Sequence, residues 1–259
     1  MPAHDLALLI ATAREAGALA RDLVTRPLDV TDKPDGAGPV TAVDLAVDAL
    51  LARRLRGARP NYGWLSEESE DSAARLGSER VFIVDPIDGT RSLIEGSGLW
   101  AHALAVVERG VVTAAVIFLP MRDKLYAAAA GQGATLNGAP IRVGARRAVP
   151  GATLLASAPA LEPAHWHEGR VPMLRRGFRP SLAYRLALVA EGRYDAMLTL
   201  RPTWEWDAAA GDLILREAGA LTTDRRGGAL VFNNPVPQVA GLLAANPALH
   251  AGLSAALAR

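Results

Sequence analysis

A short apolar stretch that ends in two carboxylates constrains this chain more than any other feature. The run is V-F-I-V-D-P-I-D-G-T, with carboxylates at Asp85 and Asp88 and a turn at Gly89-Thr90. Carboxylates this close repel each other, and the pKa of either would rise unless a cation lay between them. Mg²⁺ suits such a site because it takes hard oxygen ligands. The Gly-Thr turn offers backbone N–H groups to a phosphate. The run therefore indicates metal-assisted phosphate chemistry, although Asp-Pro and Asp-Gly are also common turn dipeptides.

Two acidic segments elsewhere are candidate partners for this run. Glu67 and Glu68 follow the apolar residues 62–65, and Asp207 starts a stretch that reads as a helix as far as Gly219, because apolar residues recur there at helical spacing. Each segment also has a simpler interpretation. Glu67-Glu68 fits a solvated acidic loop, and Asp207 fits an ordinary helix N-cap.

Together these segments resemble the inositol monophosphatase family of Mg²⁺-dependent phosphatases. Three signatures occur in order: S-E-E-S at residues 66–69, D-P-I-D-G-T at residues 85–90 and W-D-A-A-A-G at residues 206–211. A fourth element is Lys33 followed by P-V-T-A-V-D at residues 39–44. The resemblance covers nearly the whole chain, and the joint match is much more specific than any single piece.

The resemblance implies a set of functional residues. Glu67, Asp85 and the carbonyl of Ile87 are expected to bind one Mg²⁺, and Asp85, Asp88 and Asp207 a second. The catalytic residues are expected to be Asp44, Thr90 and Glu67, with Thr90 and Asp44 orienting a metal-activated water. The substrate is expected to contact Asp88, Gly89, Thr90, Ser181, Arg185 and Asp207. Mn²⁺ is a possible substitute for Mg²⁺, and Li⁺ is expected to inhibit.

Three candidate residues, Asp44, Lys33 and Arg185, also have a purely structural interpretation. Asp44 lies three residues after Thr41, a spacing like that of a capping box at a helix start. Lys33, which is a candidate to hold the loop 34–39 against acidic groups near the metals, also fits a solvated surface lysine. Arg185 also fits a surface position on the helix expected at residues 181–191.

Departures from the family pattern leave two substrates open. Ser66 stands where a glycine is usual, and Arg91-Ser92-Leu93 follow the Gly-Thr turn. The region around Thr199 has no acid, where inositol-type enzymes usually carry a glutamate. Pro202-Thr203 before Trp206-Asp207 instead resembles bacterial 3′(2′),5′-bisphosphate nucleotidases, and the Arg185 guanidinium suits a second phosphate. The substrate is therefore expected to be a small phosphate ester, either inositol 1-phosphate or a similar polyol or sugar phosphate, or alternatively 3′-phosphoadenosine 5′-phosphate.

The chain as a whole excludes several other classes. The formal net charge is +1 over 259 residues and arginine pairs are scattered, which argues against a nucleic-acid polymer as partner. The absence of cysteine excludes disulfides and thiolate metal sites. A non-catalytic protein on this fold would be expected to have lost at least one metal-binding carboxylate. This chain has all four: Glu67, Asp85, Asp88 and Asp207. We expect no signal peptide and no membrane span, a cytoplasmic location and, by family analogy, a homodimer.

Periodicity indicates a mixed α/β (α+β) fold, and the resemblance implies a layered αβαβα sandwich with two sheets interleaved with helix layers. We divide the chain into an N-terminal α+β lobe with the metal site, residues 1–150, and a C-terminal α/β lobe that completes the site, residues 151–259. Helices are expected at 6–24, 41–55, after Pro163, at 181–191, at 207–219 and from Pro247. Strands are expected at 28–33, up to Glu67, up to Asp85, and at 102–107, 111–119, 124–130, 153–157, 195–200 and 239–244.

Overall fold

The structure is a computed structural model that describes residues 2–33, 36 and 38–258. Its helices are α1 (Pro2–Leu23), α2 (Ala42–Ala58), α3 (Thr90–Ile94), α4 (Leu182–Ala190), α5 (Glu205–Glu217) and α6 (Pro247–Ala256). Its strands are β1 (Val30–Asp32), β2 (Pro39–Thr41), β3 (Gly63–Ser66), β4 (Arg80–Asp88), β5 (Ala101–Glu108), β6 (Val111–Leu119), β7 (Lys124–Ala129), β8 (Ala134–Leu136), β9 (Ala139–Pro140), β10 (Thr153–Ala156), β11 (Arg175–Gly177), β12 (Ala196–Thr199), β13 (Thr203–Trp204), β14 (Leu221–Thr223), β15 (Gln238–Val239) and β16 (Leu242–Ala245).

The larger sheet carries most of the candidate site. Within the described part of the chain it has seven strands in the order β3-β4-β5-β6-β7-β8-β9, of which β3 and β4 pair in parallel and the others pair antiparallel. Its strands alternate side chains between two buried faces. On one face Phe82 and Val116 pack against Leu9 of α1 and Leu51 of α2. On the other face the sheet packs against α4 and α5.

The smaller sheet forms a second layer beyond α4 and α5. It has five strands in the order β11-β10-β12-β16-β14. Leu155 and Met197 lie in the core that contains α4 and α5. Leu154 and Leu198 face the opposite way and pack with Leu249 of α6. The layers therefore alternate as helix, sheet, helix, sheet and helix, and the expected αβαβα sandwich is confirmed.

The division of the chain near residue 150 stays a prediction. Strands β3 to β9 precede that point and strands β10 to β16 follow it. One apolar cluster, however, contains residues from both sides, such as Ile117 and Ile214. The two proposed lobes therefore share a core.

Three sequence expectations are wrong in detail. The helix expected directly after Pro163 is absent from the described residues 163–181: short 3₁₀ turns occur at Pro163–His165 and His167–Gly169 instead, after another at Ala158–Leu161. The prolines and the positive φ of Glu168 interrupt helical geometry, and buried Trp166 anchors the segment by donating to the Ala160 carbonyl at 3.1 Å.

The strand expected at 239–244 is divided by Gly241. This residue has φ +76°, and a Cβ there would lie 2.6 Å from the Thr199 carbonyl oxygen. The strand expected to end at Asp85 continues to Asp88, with a change of register against β5. Among the described residues, no helix is long and apolar enough to cross a membrane.

Candidate active site

Three carboxylates from separate elements meet at the end of the larger sheet. Glu67 follows β3, Asp85 lies in β4, and Asp207 lies in the first turn of α5. Each offers a carboxylate oxygen, and these oxygens all lie within 4.8 Å of one another. Asp207 is not an N-cap, because Trp204 occupies that position. The helix begins two residues earlier than predicted, which directs Asp207 to the other two carboxylates.

Asp85 is the centre of this triad and the residue whose surroundings most require a ligand. Its side chain is buried, and neither carboxylate oxygen has a hydrogen-bond partner among the described residues. Burial, followed by the negative charges of Glu67, Asp88 and Asp207, raises its pKa well above the usual range. Burying a carboxylate without a partner is costly. A hard divalent cation would supply the missing partner, so these residues fit a metal such as Mg²⁺.

The Asp207 carboxylate is disfavoured by burial and by neighbouring negative charges, as that of Asp85 is. Its pKa is raised well above the usual range by burial and then by the charges of Asp88 and Glu67. Two neighbouring carboxyl groups with raised pKa values compete for a proton in the absence of a cation. This mutual repulsion is what a bound cation would relieve.

Asp88 occupies a different position. Its Oδ2 atom accepts hydrogen bonds from Ser181 Oγ at 2.7 Å and from the Ala183 backbone N–H at 2.5 Å. Ser181 is the buried N-cap of α4. The bonds to Asp88 Oδ2 therefore connect the larger sheet to the start of this helix. Burial raises the pKa of Asp88, while the bonds from Ser181 and Ala183 oppose that rise.

Asp88 is not part of the triad of oxygens within 4.8 Å. Both of its hydrogen bonds from Ser181 and Ala183 go to Oδ2, so a ligand would bind through Oδ1. The role of Asp88 in a second metal site stays a prediction.

Thr90 and Asp44 come together next to this cluster. Gly89 adopts φ +105° and precedes α3, and Thr90 starts that helix. Thr90 Oγ1 donates to Asp44 Oδ1 at 2.9 Å and lies 3.2 Å from the Ile87 carbonyl. The capping box at Thr41 and Asp44 is also present. Asp44 therefore completes the capping box with Oδ2 and accepts the hydrogen bond from Thr90 with Oδ1.

Lys33 lies against the acidic loop and not in solvent. Its ammonium group donates to Glu67 Oε1 at 2.7 Å and to Glu68 Oε1 at 2.8 Å. The Glu68 side chain is only 5% exposed, and burial raises its pKa to about 7. The interpretation of this segment as a solvated acidic loop is wrong. Pro34, Asp35 and Ala37 of the loop that Lys33 was expected to hold lie outside the described residues.

Sequence reasoning missed a pair of hydrogen bonds that hold the same acidic loop against α2. Asp48, one helical turn after Asp44, is buried and accepts from Ser66 Oγ and from Ser69 Oγ, each at 2.6 Å. The two serines bracket Glu67 and Glu68. Ser66 stands where a glycine is usual, and its hydroxyl is the group that donates to Asp48. An acid at helical spacing from Asp44 was the available signal.

The triad opens into a cavity of about 970 Å³ with a basic wall. Arg185 and Arg201 line it together with Phe178 and with residues 87–92. Arg185 is 7% exposed, so its interpretation as a surface residue is wrong. Its guanidinium lies 4.8 Å from the Phe178 ring centroid, and one amino group donates to the Pro180 carbonyl. Its Nε atom is buried without a partner among the described residues.

Comparisons with known proteins agree with this geometry. The sequence profile described as "Inositol monophosphatase family" matches residues 2–259. An inositol-1-monophosphatase of Rhizobium meliloti is 38% identical over 198 residues, covering 73% of each chain. Nus factor SuhB of Pseudomonas aeruginosa is 34% identical over 238 residues, covering 86% of each chain.

A solved structure of the extragenic suppressor protein suhB from Bartonella henselae is also similar. It has a TM-score of 0.81 and 29% sequence identity, and the match covers 97% of each chain. The predicted family, fold and phosphatase class are thus confirmed. The chain belongs to the inositol monophosphatase family of phosphatases.

Proposed function

We propose that the protein is a Mg²⁺-dependent phosphomonoesterase that hydrolyses a small phosphorylated metabolite such as inositol 1-phosphate. The observation that carries this proposal is the buried Asp85 carboxylate. It has no partner among the described residues, and it lies beside Glu67 and Asp207 at the base of a cavity large enough for such a substrate. Most buried polar groups in folded proteins are hydrogen-bonded, so this one is arranged for a ligand.

The residues that would hold metal are Glu67, Asp85, the Ile87 carbonyl, Asp88 and Asp207. When bound there, Mg²⁺ supplies a Lewis acid that neutralises phosphate charge and lowers the pKa of the attacking water. The cavity-lining residues Gly89 and Thr90 would bind the phosphate through their backbone N–H groups, which precede Ser92, the residue whose N–H donates back to the Gly89 carbonyl.

Thr90 and Asp44 would hold the attacking water and take its proton. Thr90 Oγ1 already donates its own proton towards Asp44 Oδ1. Its lone pairs are therefore free to accept a hydrogen bond from water. As the water oxygen forms its bond to phosphorus, its proton passes to Thr90 Oγ1 while the Thr90 proton passes to Asp44 Oδ1. The bond from phosphorus to the ester oxygen breaks, the leaving oxygen takes a proton from a solvent water, and inorganic phosphate and an alcohol are released, while Asp44 returns its proton to solvent.

The test is phosphate release from inositol 1-phosphate by the purified protein. We expect no turnover in excess chelator, full recovery on adding Mg²⁺, partial recovery with Mn²⁺ and inhibition by Li⁺. Undiminished turnover in excess chelator contradicts the proposal. Size-exclusion chromatography and cell fractionation test the homodimer and the cytoplasmic location, both of which stay predictions.

A second candidate substrate is 3′-phosphoadenosine 5′-phosphate, which a specific observation favours. Arg185 is buried at the cavity wall beside Arg201, and its charge is only partly offset by Asp88 and Asp207. A second phosphate would give these guanidinium groups a charged, bidentate acceptor, whereas the hydroxyls of an inositol ring would be neutral acceptors. Exposed Phe178 offers an aromatic face in the same cavity. Parallel assays on the two substrates decide between them by comparing kcat/KM.

A further inference from the structure

His102 is a fully buried histidine that the proposed mechanism does not use. It lies in β5 with no solvent exposure, between the rings of Trp100 and Phe118 at centroid distances of 5.6 and 6.3 Å. Its Nδ1 atom lies 2.5 Å from the carbonyl oxygen of Pro86. Pro86 separates Asp85 from Ile87, so His102 touches the segment that carries the metal-facing groups.

The backbone opposite His102 departs from regular pairing. Asp85 pairs with Ala103, and the next pair joins Asp88 to Ala101. Three residue steps on β4 thus match two steps on β5, which places one extra residue in β4 as a bulge. Pro86 has no N–H group and cannot donate to the ladder. The backbone alone therefore does not determine the orientation of the Pro86-Ile87 peptide, and the His102 side chain contacts it directly.

The chemistry of the contact determines the form of the ring. The Pro86 carbonyl can only accept a hydrogen bond, so Nδ1 carries the proton and donates it. Nε2 is buried and has no partner among the described residues. A second proton at Nε2 would create a buried cation without an acceptor, which is costly. His102 is therefore a neutral ring with a single donor directed at one carbonyl.

We propose that His102 is a positioning residue for the metal site, because its hydrogen bond to Pro86 orients the bulge that presents Asp85 and Ile87. The inference rests on the proposed function in assigning metal to Asp85 and the Ile87 carbonyl. Rotation of the Pro86-Ile87 peptide would change the direction of the chain that follows, including Asp88. The hydrogen bond from His102 opposes that rotation from the opposite strand.

Three substitutions separate this role from simple space filling. His102→Asn places an amide N–H at nearly the position of Nδ1, since both nitrogens are bonded to Cγ. His102→Gln carries the same amide one bond further out, and His102→Leu fills a similar volume without a donor. Mn²⁺ binding to the metal-free protein, followed by electron paramagnetic resonance, reports on the site without relying on turnover.

We expect His102→Leu and His102→Gln to weaken Mn²⁺ binding about 10- to 100-fold, as for other groups that orient metal ligands, and His102→Asn to stay within about threefold of the unmodified protein. Equal Mn²⁺ affinity in all folded variants, or equal loss in Asn and Gln, overturns the role. If His102→Leu fails to fold, the Mn²⁺ affinities of His102→Asn and His102→Gln alone test the positioning role.

A second measurement works without metal and keeps this inference separate from the proposed function. Hydrogen exchange of residues 85–93 in the metal-free protein should speed up in the Leu and Gln variants and remain slow in the Asn variant. Unchanged exchange in all three variants overturns the positioning role even if the protein is a metal-dependent phosphatase. Failure of the unmodified protein to bind Mn²⁺, with exchange as expected, contradicts the proposed function but leaves the role of His102 in orienting the bulge.

Discussion

Thr90 Oγ1 donates a 2.9 Å hydrogen bond to Asp44 Oδ1, although 46 positions separate the two residues in the chain. The other carboxylate oxygen, Oδ2, accepts from the backbone and hydroxyl of Thr41, which caps α2. Because the cap holds one oxygen, the other stays directed at Thr90. A local helix cap thus orients the group to which we assign the role of proton acceptor.

This relationship makes Thr90 the most direct test of the water-positioning pair. Thr90→Ala removes the hydroxyl and should lower kcat roughly 10²- to 10⁴-fold with little change in KM. Thr90→Ser keeps the hydroxyl and serves as the matched control, with kcat within about tenfold of the unmodified enzyme. Steady-state kinetics with saturating Mg²⁺ measure both. An unchanged kcat in Thr90→Ala would leave the pair only a structural role.

Removing a single charge from the site should abolish turnover without unfolding the protein. Asp207→Asn and Asp88→Asn each remove one proposed metal ligand charge, and each removes a negative charge that raises the pKa of Asp85 in the metal-free protein. We expect no measurable turnover, with a metal-free melting temperature equal to or above that of the unmodified protein. Exposed Asp22→Asn is the matched control for the same chemical change. Near-normal turnover in either site variant would show that its carboxylate is not needed.

Arg185 should discriminate between the two candidate substrates. Arg185→Met keeps most of the buried side-chain volume and removes the charge. Loss of one charge-assisted contact corresponds to about 1.5–3 kcal/mol, so kcat/KM for the bisphosphate nucleotide should fall about tenfold or more. The value for inositol 1-phosphate should stay nearly unchanged.

Arg179→Met is the matched control for Arg185, since Arg179 is only half-buried and its guanidinium lies over the Tyr194 ring. Equal losses on both substrates in Arg185→Met would identify Arg185 as a structural residue. If the unmodified enzyme shows no activity on the nucleotide, the inositol or sugar phosphate remains as the substrate class.

Acid should destabilise the protein through His102. Burial lowers the pKa of His102 from 6.5 to about 4. The unfolded chain therefore binds more protons than the folded one between these values, and the free energy of unfolding falls as pH falls. The stabilisation that comes from keeping His102 neutral is fully present above pH 6.5 and is lost by about pH 4. The free energy of unfolding falls by a total of about 3 kcal/mol over this range.

Urea unfolding of the metal-free protein between pH 7 and pH 5 measures this effect. His102→Asn serves as the reference, because it lacks the titrating ring and leaves the carboxylates of the site in place. The unmodified protein should lose about 2 kcal/mol more than the variant over this range. Parallel pH dependence in the two proteins would show that His102 does not titrate in this way.

The sequence by itself determined the parts of the site that are written as short local patterns. The Thr41–Asp44 capping box was predicted because a cap depends on residues three apart, and it is present. The carboxylates at Glu67, Asp85, Asp88 and Asp207 were identified because each lies in a compact signature. The alternation of apolar residues indicated most strands and helices to within a few positions, whereas the αβαβα layering was implied by the family resemblance.

Only the tertiary structure decided which partners these groups have. Nothing in the spacing of His102 indicates that it lies opposite the Pro86 carbonyl, because that contact depends on the pairing of β4 with β5. Arg185 lies in a helix that could have faced solvent, and its burial depends on that helix packing between two sheets. Local patterns fix which groups a segment carries, whereas long-range packing fixes the distances and the desolvation that give those groups their chemistry.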